Sequence, residues 1–348
     1  MWNVIRNRTQ INYFVGGEKT AMLDQYTKIL VTGGLGFIGR HLVNALLSLD
    51  KRVVIMDNRS TVLNGAIPPG ATLTRADVRN HRQIIEMARG ADLVFHLAAN
   101  ASGTISVNDP RFDFETNAMG TYNTLEATLS MGAKRFVYVS SASVYGRPQQ
   151  FPIDEQHPTR PFVPYGASKL AGELCCLAFF GTYGSPVIVA RPFCVYGSGE
   201  NPELALVEVS RYLRWHLNQR PIQIVGDMDQ KTRDFVHVSD VIQGLLLVAD
   251  KADAGEIFNL GSGEEVSMRG LTDVIASVTG RTAIVDEISN ITEDTYRLVA
   301  DISKIKSLGY APKMSLAEGV RQLAEALGEN PQMPGGTTIF KKGQRAEK

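Results

Sequence analysis

Five apolar runs, separated by longer amphipathic stretches, constrain the fold of this chain more than any other feature. The runs are ILVTG (29–33), RVVIMD (52–57), DLVFHLAA (92–99), RFVYVSS (135–141) and PVIVARP (186–192). Strands this apolar are typical of a parallel sheet that helices cover on both sides, because neither face of the sheet meets water. The alternation therefore predicts repeated βαβ units and a doubly wound parallel α/β core.

Composition excludes several classes of protein. The 36 Lys and Arg balance the 36 Asp and Glu, so no net charge attracts nucleic acid. No run approaches the ~18 apolar residues that cross a bilayer, and residues 1–27 lack the apolar stretch of a secretory signal. The three cysteines are too few for a disulfide framework, which favours a reducing cytoplasm, and no His or Cys pair has metal-ligand spacing, so we expect no metal.

The pattern along the chain predicts four segments. Residues 1–27 precede the first strand as an extension, and residues 28–192 form the core. After residue 192 short strands and helices alternate with polar loops, which predicts a smaller α/β cap over 193–327, with parts of 220–265 returning to the core. Residues 328–348 lack periodicity and are expected to form a flexible tail, so both ends should be loose.

A glycine-rich turn, TGGLGFIG (32–39), follows the first strand and opens an amphipathic helix. Gly33, Gly36 and Gly39 have the spacing at which a tight turn lets the backbone approach a pyrophosphate and lets the helix pack closely on its strand. The helix N-terminus then faces the phosphates. Asp57 ends the second strand, where an acid hydrogen-bonds the adenosine ribose and repels a 2′-phosphate. The segment predicts a dinucleotide site that prefers NAD to NADP.

Tyr165 and Lys169 lie four residues apart in PYGASKL, so a helix would place both side chains on one face. A phenol has a pKa of about 10 and acts as a base near neutrality only when positive charge stabilises the phenolate. Ser141 follows an apolar strand, at the sheet edge where ligands bind in such folds, and its hydroxyl could bridge substrate and phenol.

Taken together, the ordered motifs resemble the extended short-chain dehydrogenase/reductase family, with nucleotide-sugar epimerases as its nearest branch. The resemblance covers about residues 28–327. Besides TGGLGFIG and Asp57, the motifs that carry it are ADV (76–78), HLAA (96–99), SSASVYG (140–146), YGASK (165–169), RPFCVYG (191–197) and RDFVHVSD (233–240).

The resemblance implies a Rossmann sheet with a substrate-binding cap and roles for individual residues. Tyr165 would be the base, Lys169 its electrostatic partner and a ribose ligand, and Ser141 the hydroxyl that orients the sugar. The residues that would line the NAD site are Gly33, Gly36, Phe37, Ile38, Gly39, Asp57, Asn58, Asp77, Val78, Leu97, Ala98, Ala99, Asn117, Tyr165 and Lys169. Those that would contact the nucleotide-diphosphate sugar are Ser141, Ser143, Cys194, Arg233 and Leu298.

The implied reaction is epimerisation at the sugar 4-position through a transient 4-keto sugar. The family's 4,6-dehydratases usually carry an Asp-Glu pair just after the catalytic hydroxyl, where this chain has Ala142 and Ser143, and those side chains cannot serve as the acid and base of an elimination. An NAD(P)-dependent nucleotide-sugar reductase or dehydratase, or a non-catalytic NAD-binding scaffold, stays open as an alternative.

Three positions depart from the family pattern. Cys194 stands where these epimerases commonly have Asn, and Ile291 stands where an Arg often holds the diphosphate, a role that Arg297 could take over. Leu298 occupies a position where side-chain bulk is thought to limit the group on the second sugar carbon.

The predicted helix that carries Tyr165 spreads apolar side chains beyond one stripe, so it must be covered on a second face. They are Leu170, Leu174, Cys175, Cys176, Leu177, Phe179 and Phe180. We expect a homodimer through this helix. The alternative is coverage by the cap or by the extension, where Trp2 and Phe14 are candidates.

Overall fold

The computed structural model describes residues 22–61, 67–204, 207–288 and 297–335. Within these ranges the strands are β1 Lys28–Thr32, β2 Arg52–Asp57, β3 Thr72–Arg75, β4 Leu93–His96, β5 Arg135–Val139, β6 Val187–Pro192, β7 Cys194–Tyr196, β8 Ile222–Val225, β9 Thr232–Arg233, β10 Phe235–His237, β11 Ile257–Leu260, β12 Val266–Ser267, β13 Val285–Ile288 and β14 Arg297–Leu298. The helices are α1 Phe37–Ser48, α2 His81–Ala88, α3 Gly103–Asn108, α4 Pro110–Phe114, α5 Gly120–Ser130, α6 Pro164–Tyr183, α7 Glu208–Leu217, α8 Val238–Lys251, α9 Met268–Thr279, α10 Ser303–Lys306 and α11 Leu316–Leu327, with a π-helical turn over Glu115–Met119 and a 3₁₀ turn over Ala142–Tyr145.

Seven parallel strands form the central sheet in the order β11-β6-β5-β4-β1-β2-β3. Successive side chains of β1 enter opposite faces: Ile29 and Val31 pack in one apolar core and Leu30 in the other. Both faces are thus covered by helices, which explains the apolar strands and confirms the predicted doubly wound α/β fold. The sheet order reverses beside β1, between β4 and β2, and ligands bind in such sheets at the carboxyl ends of the strands at this point.

The chain leaves the sheet after β6 and returns to it with β11, and elements from before and after β11 build a second body. Helices α7, α9 and α11 and the short β8/β13 pair surround a separate apolar core that includes Tyr212, Leu271 and Val320. Helix α8 belongs to the core of the large sheet, where Val241 and Leu245 are buried.

The described parts of the two terminal segments are bonded to the rest of the protein. Leu23 is buried and its N–H donates to Asp250 Oδ1 (2.9 Å). Near the other end, Gly335 N donates to Pro202 O (2.7 Å) and Arg214 Nη1 to Gln332 O (2.7 Å). These contacts differ from the looseness expected of 1–27 and 328–348, because backbone groups there find partners. Trp2, Phe14 and residues 336–348 lie outside the described residues.

No helix in the described ranges is both long enough and apolar enough to cross a bilayer.

Candidate active site

Two glycines of the turn are required by backbone contacts within the protein. Gly33 has a φ of +67°, and a Cβ there would lie 2.7 Å from Ala98 N. A Cβ on Gly39 would lie 2.2 Å from Gly33 O, so only glycine lets α1 pack on the turn. Gly36 differs, because its Cβ would meet Gly33 O alone, at 3.2 Å. The open side of Gly36 is therefore the face that a phosphate can approach.

Helix α1 begins at Phe37 with Gly36 as its N-cap, and Gly36 has no side chain to cap the helix. The first N–H groups of a helix lack partners within it and carry the positive end of its dipole. Ile38 and Gly39 belong to the same first turn. This turn therefore offers backbone donors to an anion such as the dinucleotide pyrophosphate.

Asp57 lies at the carboxyl end of β2, beside this turn. It is buried, with Oδ2 accepting from Leu35 N (3.0 Å) and Oδ1 accepting from Arg59 N (2.7 Å). Each carboxylate oxygen has a second lone pair, so both can also accept from ribose hydroxyls. The position fits the ribose of an NAD molecule on the glycine turn.

Three further predicted cofactor residues meet next to β3. Asn58 Nδ2 donates to Asp77 Oδ2 (2.9 Å), and Arg79 binds the same carboxylate. The hydrogen bond from Arg79 lowers the pKa of Asp77 to about 2, so this carboxylate is charged. Val78 packs against Gly120. Together they form a polar edge with one apolar contact, suited to an adenosine.

The predicted residues after β4 lie on the other side of the turn. Leu97 N donates to Thr32 O (3.1 Å) and Ala98 N to Thr32 Oγ1 (3.2 Å). These bonds place the small side chains of Ala98 and Ala99, both half-buried, at the sheet edge beside Gly33.

Asn117, also predicted to line the cofactor site, lies away from the glycine turn in sequence, within the π-helical turn before α5. It is buried in the π-helical turn, where Nδ2 donates to Asn100 O (3.1 Å) and Ser168 Oγ (3.0 Å), and Oδ1 accepts from Asn100 N (2.8 Å). These bonds engage its amide inside the protein, so the structure gives it a supporting position behind α6.

Ser141, which follows β5, lies near Tyr165 at the start of α6. Ser141 caps the 3₁₀ turn, with its Oγ accepting from Ser143 N (3.1 Å), and its hydroxyl is close enough to the Tyr165 side chain to lower the pKa of the phenol. The close approach depends on Gly166, because a Cβ there would lie 2.5 Å from Ser143 O. The predicted meeting of the serine and the phenol is present.

Lys169 lies one turn further along α6, as predicted. Its Nζ donates to Val139 O (2.7 Å) and lies 4.7 Å from the centre of the Tyr138 ring. Burial lowers the pKa of Lys169 to about 8. Burial also raises the pKa of Tyr165, while the hydrogen bond to Ser141 lowers it. The phenol therefore needs further positive charge beside it to ionise, which the nicotinamide of bound NAD carries.

A charged cluster lies on the cap side of the site. Arg233 Nε is 3.6 Å from Glu208 Oε1, and both side chains are largely buried. Burial disfavours the charged form of Glu208, yet Arg233, Arg211 and Lys231 hold its pKa at about 2. One carboxylate among three cations leaves excess positive charge, which suits a diphosphate. Leu298 pairs with Arg233 between β14 and β9.

Cys194 begins β7, where its N–H donates to Asp234 O (3.1 Å), next to Arg233.

The guanidinium of Arg297 has partners within the protein. Its Nε and Nη2 donate to Glu265 Oε1 (2.6 Å) and Oε2 (2.7 Å), and its guanidinium stacks 4.2 Å from the centre of the Phe151 ring. Ile291, the position it was expected to replace, lies outside the described residues.

Two acidic residues of this region, Asp113 and Glu208, were not identified from the sequence. Asp113 is completely buried and bonds Ser168 on α6, and Glu208 faces Arg233. Asp113 and Asn117 are four residues apart, and that helical spacing is the signal that could have connected Asp113 with the site. Within the described ranges no group of three or more His, Cys, Asp and Glu could hold a metal.

A Rossmann-type sheet with a glycine turn, a ribose acid and a Tyr-Lys helix defines a dinucleotide-dependent enzyme. The model of the NAD-dependent epimerase/dehydratase family matches residues 29–261. A putative UDP-glucose 4-epimerase of Methanocaldococcus jannaschii is 36% identical over 308 residues, which is 87% of this chain and 99% of that protein.

Two solved structures are similar over 86% of this chain and 98% of their own, each at 31% identity. They are UDP-glucose 4-epimerase from Thermotoga maritima with UDP-glucose, with a TM-score of 0.82, and UDP-glucose 4-epimerase from Thermus thermophilus with NAD, with a TM-score of 0.80. The chain belongs to the NAD-dependent epimerase/dehydratase family. The predicted family and NAD as its cofactor are confirmed.

Proposed function

We propose that the protein interconverts nucleotide-diphosphate sugars by inverting carbon 4, with UDP-glucose and UDP-galactose as the first substrates to test. The observation that carries this proposal is that Ser141 lies close enough to Tyr165 to lower the pKa of the phenol, one helical turn from buried Lys169. When bound, NAD supplies the chemistry of taking a hydride from carbon 4 and returning it.

The three side chains then handle the proton of the 4-hydroxyl. The Tyr165 phenolate accepts this proton, the Ser141 hydroxyl orients the sugar oxygen, and Lys169, one helical turn from Tyr165, supplies the positive charge that favours the phenolate. The resulting 4-keto sugar turns over within the site, and Tyr165 returns the proton once the opposite face of the carbonyl is presented. No net oxidation or reduction of substrate results.

The neighbours of Ser141 favour epimerisation over dehydration. Loss of water across carbons 5 and 6 needs an acid and a base near those carbons. Ala142 is apolar and buried, and Ser143 is hydrogen-bonded to Ser141. Neither side chain can serve as an acid or base near neutral pH.

The cap supports the choice of a diphosphate substrate. We assign dinucleotide binding to residues 28–192 and sugar-nucleotide binding mainly to 193–327, with Arg233 on the diphosphate and Leu298 beside the sugar. The cationic surplus around Glu208 and the pairing of Leu298 with Arg233 support this division.

The test is an NMR assay of the NAD-loaded protein with each sugar nucleotide in deuterated water. Epimerisation predicts inversion at carbon 4 without uptake of solvent deuterium, because the hydride returns to the same carbon. Deuterium beside a carbonyl would indicate dehydration, and net consumption of NAD(P)H would indicate a reductase. Tyr165→Phe should abolish turnover while keeping NAD bound, and Tyr183→Phe, at an exposed tyrosine of the same helix, is the control.

We also propose a homodimer in the cytoplasm. Leu174 and Tyr183 on α6 are 58% and 72% exposed, and Tyr122 on the adjacent α5 is 41% exposed, which leaves an apolar face suited to a second copy. Three free thiols suit a reducing compartment. Leu174→Arg should convert the dimer to a monomer in analytical ultracentrifugation. Ile284→Arg, at an equally exposed position on the cap, should leave it dimeric.

A further inference from the structure

A buried carboxylate without a part in the proposed proton transfer lies directly behind the catalytic helix. Asp113 is completely inaccessible to solvent. Its Oδ1 accepts from Nδ2 of Asn100 (2.7 Å) and of Asn117 (3.1 Å), and its Oδ2 accepts from Ser168 Oγ (2.5 Å). Ser168 stands on α6 between Tyr165 and Lys169. The carboxylate is therefore tied to the turn that carries the catalytic pair.

The partners of Asp113 fit its ionised form. The Asn117 amide oxygen already accepts from Asn100 N (2.8 Å), and Ser168 Oγ already accepts from Asn117 Nδ2 (3.0 Å). Both amides donate to Asp113 Oδ1, and the Ser168 hydroxyl has Asp113 Oδ2 (2.5 Å) and Tyr165 O (3.0 Å) as its two possible acceptors. Burial raises the pKa of Asp113 above its usual value, although the bonds from Ser168 and Asn100 and the charge of Lys169 oppose this shift.

Two carboxylates, Glu173 and Asp113, act electrostatically on Lys169, and they differ in whether a nearby cation offsets their charge. Glu173 forms a two-point ion pair with Arg191, so a guanidinium offsets most of its charge. The hydrogen-bond donors to Asp113 in the described part of the chain are all neutral. Glu173 has the larger effect on the pKa of Lys169 and Asp113 the next largest, and the charge of Asp113 is the one without a cationic partner in a hydrogen bond among the described residues.

We propose that Asp113 is a positioning residue for the catalytic pair: its carboxylate holds the start of α6 through Ser168 and places a negative charge behind the helix turn that carries Tyr165 and Lys169. This inference rests on the proposed function, in which a cationic Lys169 supports the Tyr165 phenolate.

The charge has a defined effect on pH dependence. A nearby negative charge disfavours the Tyr165 phenolate and favours the Lys169 ammonium, so it raises the pKa of both groups, in agreement with the direction of its electrostatic effect on each. A reaction that needs phenolate and ammonium has a bell-shaped pH profile. Removing the charge of Asp113 should move both limbs to lower pH.

The other ionisable groups near the pair are the same in every variant below. They are His96 on β4, Tyr138 on β5, Arg191 on β6, and Glu173 and Cys176 on α6. A change in both limbs thus reports on Asp113, since a packing defect alone would lower kcat without moving the two limbs in one direction.

The experiment compares Asp113→Asn with two controls in the NAD-loaded protein. Ser168→Ala removes the hydrogen bond to α6 but keeps the carboxylate, and Asp109→Asn removes an exposed charge from the same short segment. The first readout is the near-ultraviolet phenolate titration of Tyr165, obtained by subtracting the spectrum of the matching Tyr165→Phe variant. The second is kcat against pH.

We expect Asp113→Asn to lower the Tyr165 titration midpoint and both kinetic limbs by at least about half a pH unit. Ser168→Ala should lower kcat with unchanged midpoints, and Asp109→Asn should match the parent protein. Unshifted midpoints in Asp113→Asn, or an equal shift in Ser168→Ala, would overturn the inference. If Asp113→Asn does not fold, Asp113→Ser removes the same charge and leaves room for a water. Because the phenolate titration needs no turnover, shifted midpoints in a protein without epimerase activity would refute only the proposed function.

Discussion

Arg191 and Glu173 form a two-point ion pair inside the protein, with Nε 2.9 Å from Oε1 and Nη2 2.6 Å from Oε2. The side chains are 4% and 1% exposed, and Arg191 also donates to the Tyr145 hydroxyl (3.0 Å). The pair joins α6, which carries the catalytic residues, to β6 of the central sheet. It therefore fixes the helix against the strand that ends at the substrate side of the site.

Breaking this pair from one side should be costly. Arg191→Met leaves Glu173 buried without its cation, and we expect a loss of about 3–5 kcal/mol in the free energy of unfolding. Urea denaturation measures it. Arg111→Met, which breaks the exposed pair with Glu115, is the control and should leave the free energy of unfolding almost unchanged. Equal losses in the two variants would contradict the prediction.

Substitution of two glycines of the cofactor turn should have different effects, one on the stability of the protein and the other on its affinity for NAD. Gly39→Ala places a Cβ against the carbonyl of Gly33 and should destabilise the protein by about 3 kcal/mol. Gly36→Ala meets only one atom, at 3.2 Å, in a backbone conformation that alanine adopts readily, so stability should change by less than about 1 kcal/mol. Its methyl group occupies the phosphate approach and should weaken NAD binding about tenfold or more. Thermal melts measure the change in stability, and dinucleotide titration measures the change in NAD affinity. An unaltered NAD affinity in Gly36→Ala would show that the phosphate does not approach Gly36.

Asp57 should control the choice of dinucleotide. Asp57→Asn removes the charged acceptor for the ribose hydroxyls, and we expect the Kd for NAD to rise about 10- to 100-fold. NADP should lose less affinity, since the repulsion of its 2′-phosphate also disappears. Titration of the apoprotein with each dinucleotide gives both constants, with Asp50→Asn at an exposed aspartate as the control. A preference for NAD that stays unchanged would remove Asp57 from the ribose site.

Buried histidines should make the protein sensitive to acid. Burial lowers the pKa of His96 to about 3 and that of His237 to about 4. In the unfolded chain both groups take up protons below pH ~6.5, so the unfolded state binds more protons. Their contribution to stability is present above pH ~6.5 and is lost as the pH falls, by up to ~1.4 kcal/mol per pH unit for each group. Urea denaturation between pH 7 and 5 measures this slope. His96→Gln removes one of the protons that the chain takes up on unfolding, so it should make the dependence of the unfolding free energy on pH less steep. If the slope stays unchanged, His96 does not contribute to the acid sensitivity.

Local spacing predicted the parts of the site that lie within one strand, turn or helix. The glycine turn, Asp57 at the end of its strand, and Tyr165 and Lys169 on one helix follow from short-range periodicity, and the structure has each in that setting.

Contacts between distant segments were beyond such reasoning. The amide of Asn117 bonds Ser168, which lies 51 residues away, and the expected place of Asn117 in the cofactor site stays a prediction. Arg297 binds Glu265 through Nε and Nη2, and residues 32 positions apart gave no local signal of this ion pair. Such partners depend on which segments the sheet and cap bring together, and no short sequence window contains that information.

The return of the chain to the sheet through β11 bears on how the protein is made. Strand β6 has β5 on one side and receives its other neighbour only from residues 257–260. A growing chain on the ribosome that stops short of these residues carries an open strand edge from Val187 to Pro192 that begins with four apolar residues, and such edges pair readily with other chains. Nascent protein is thus most vulnerable to aggregation while the cap is being synthesised, and chaperone engagement should peak in that interval.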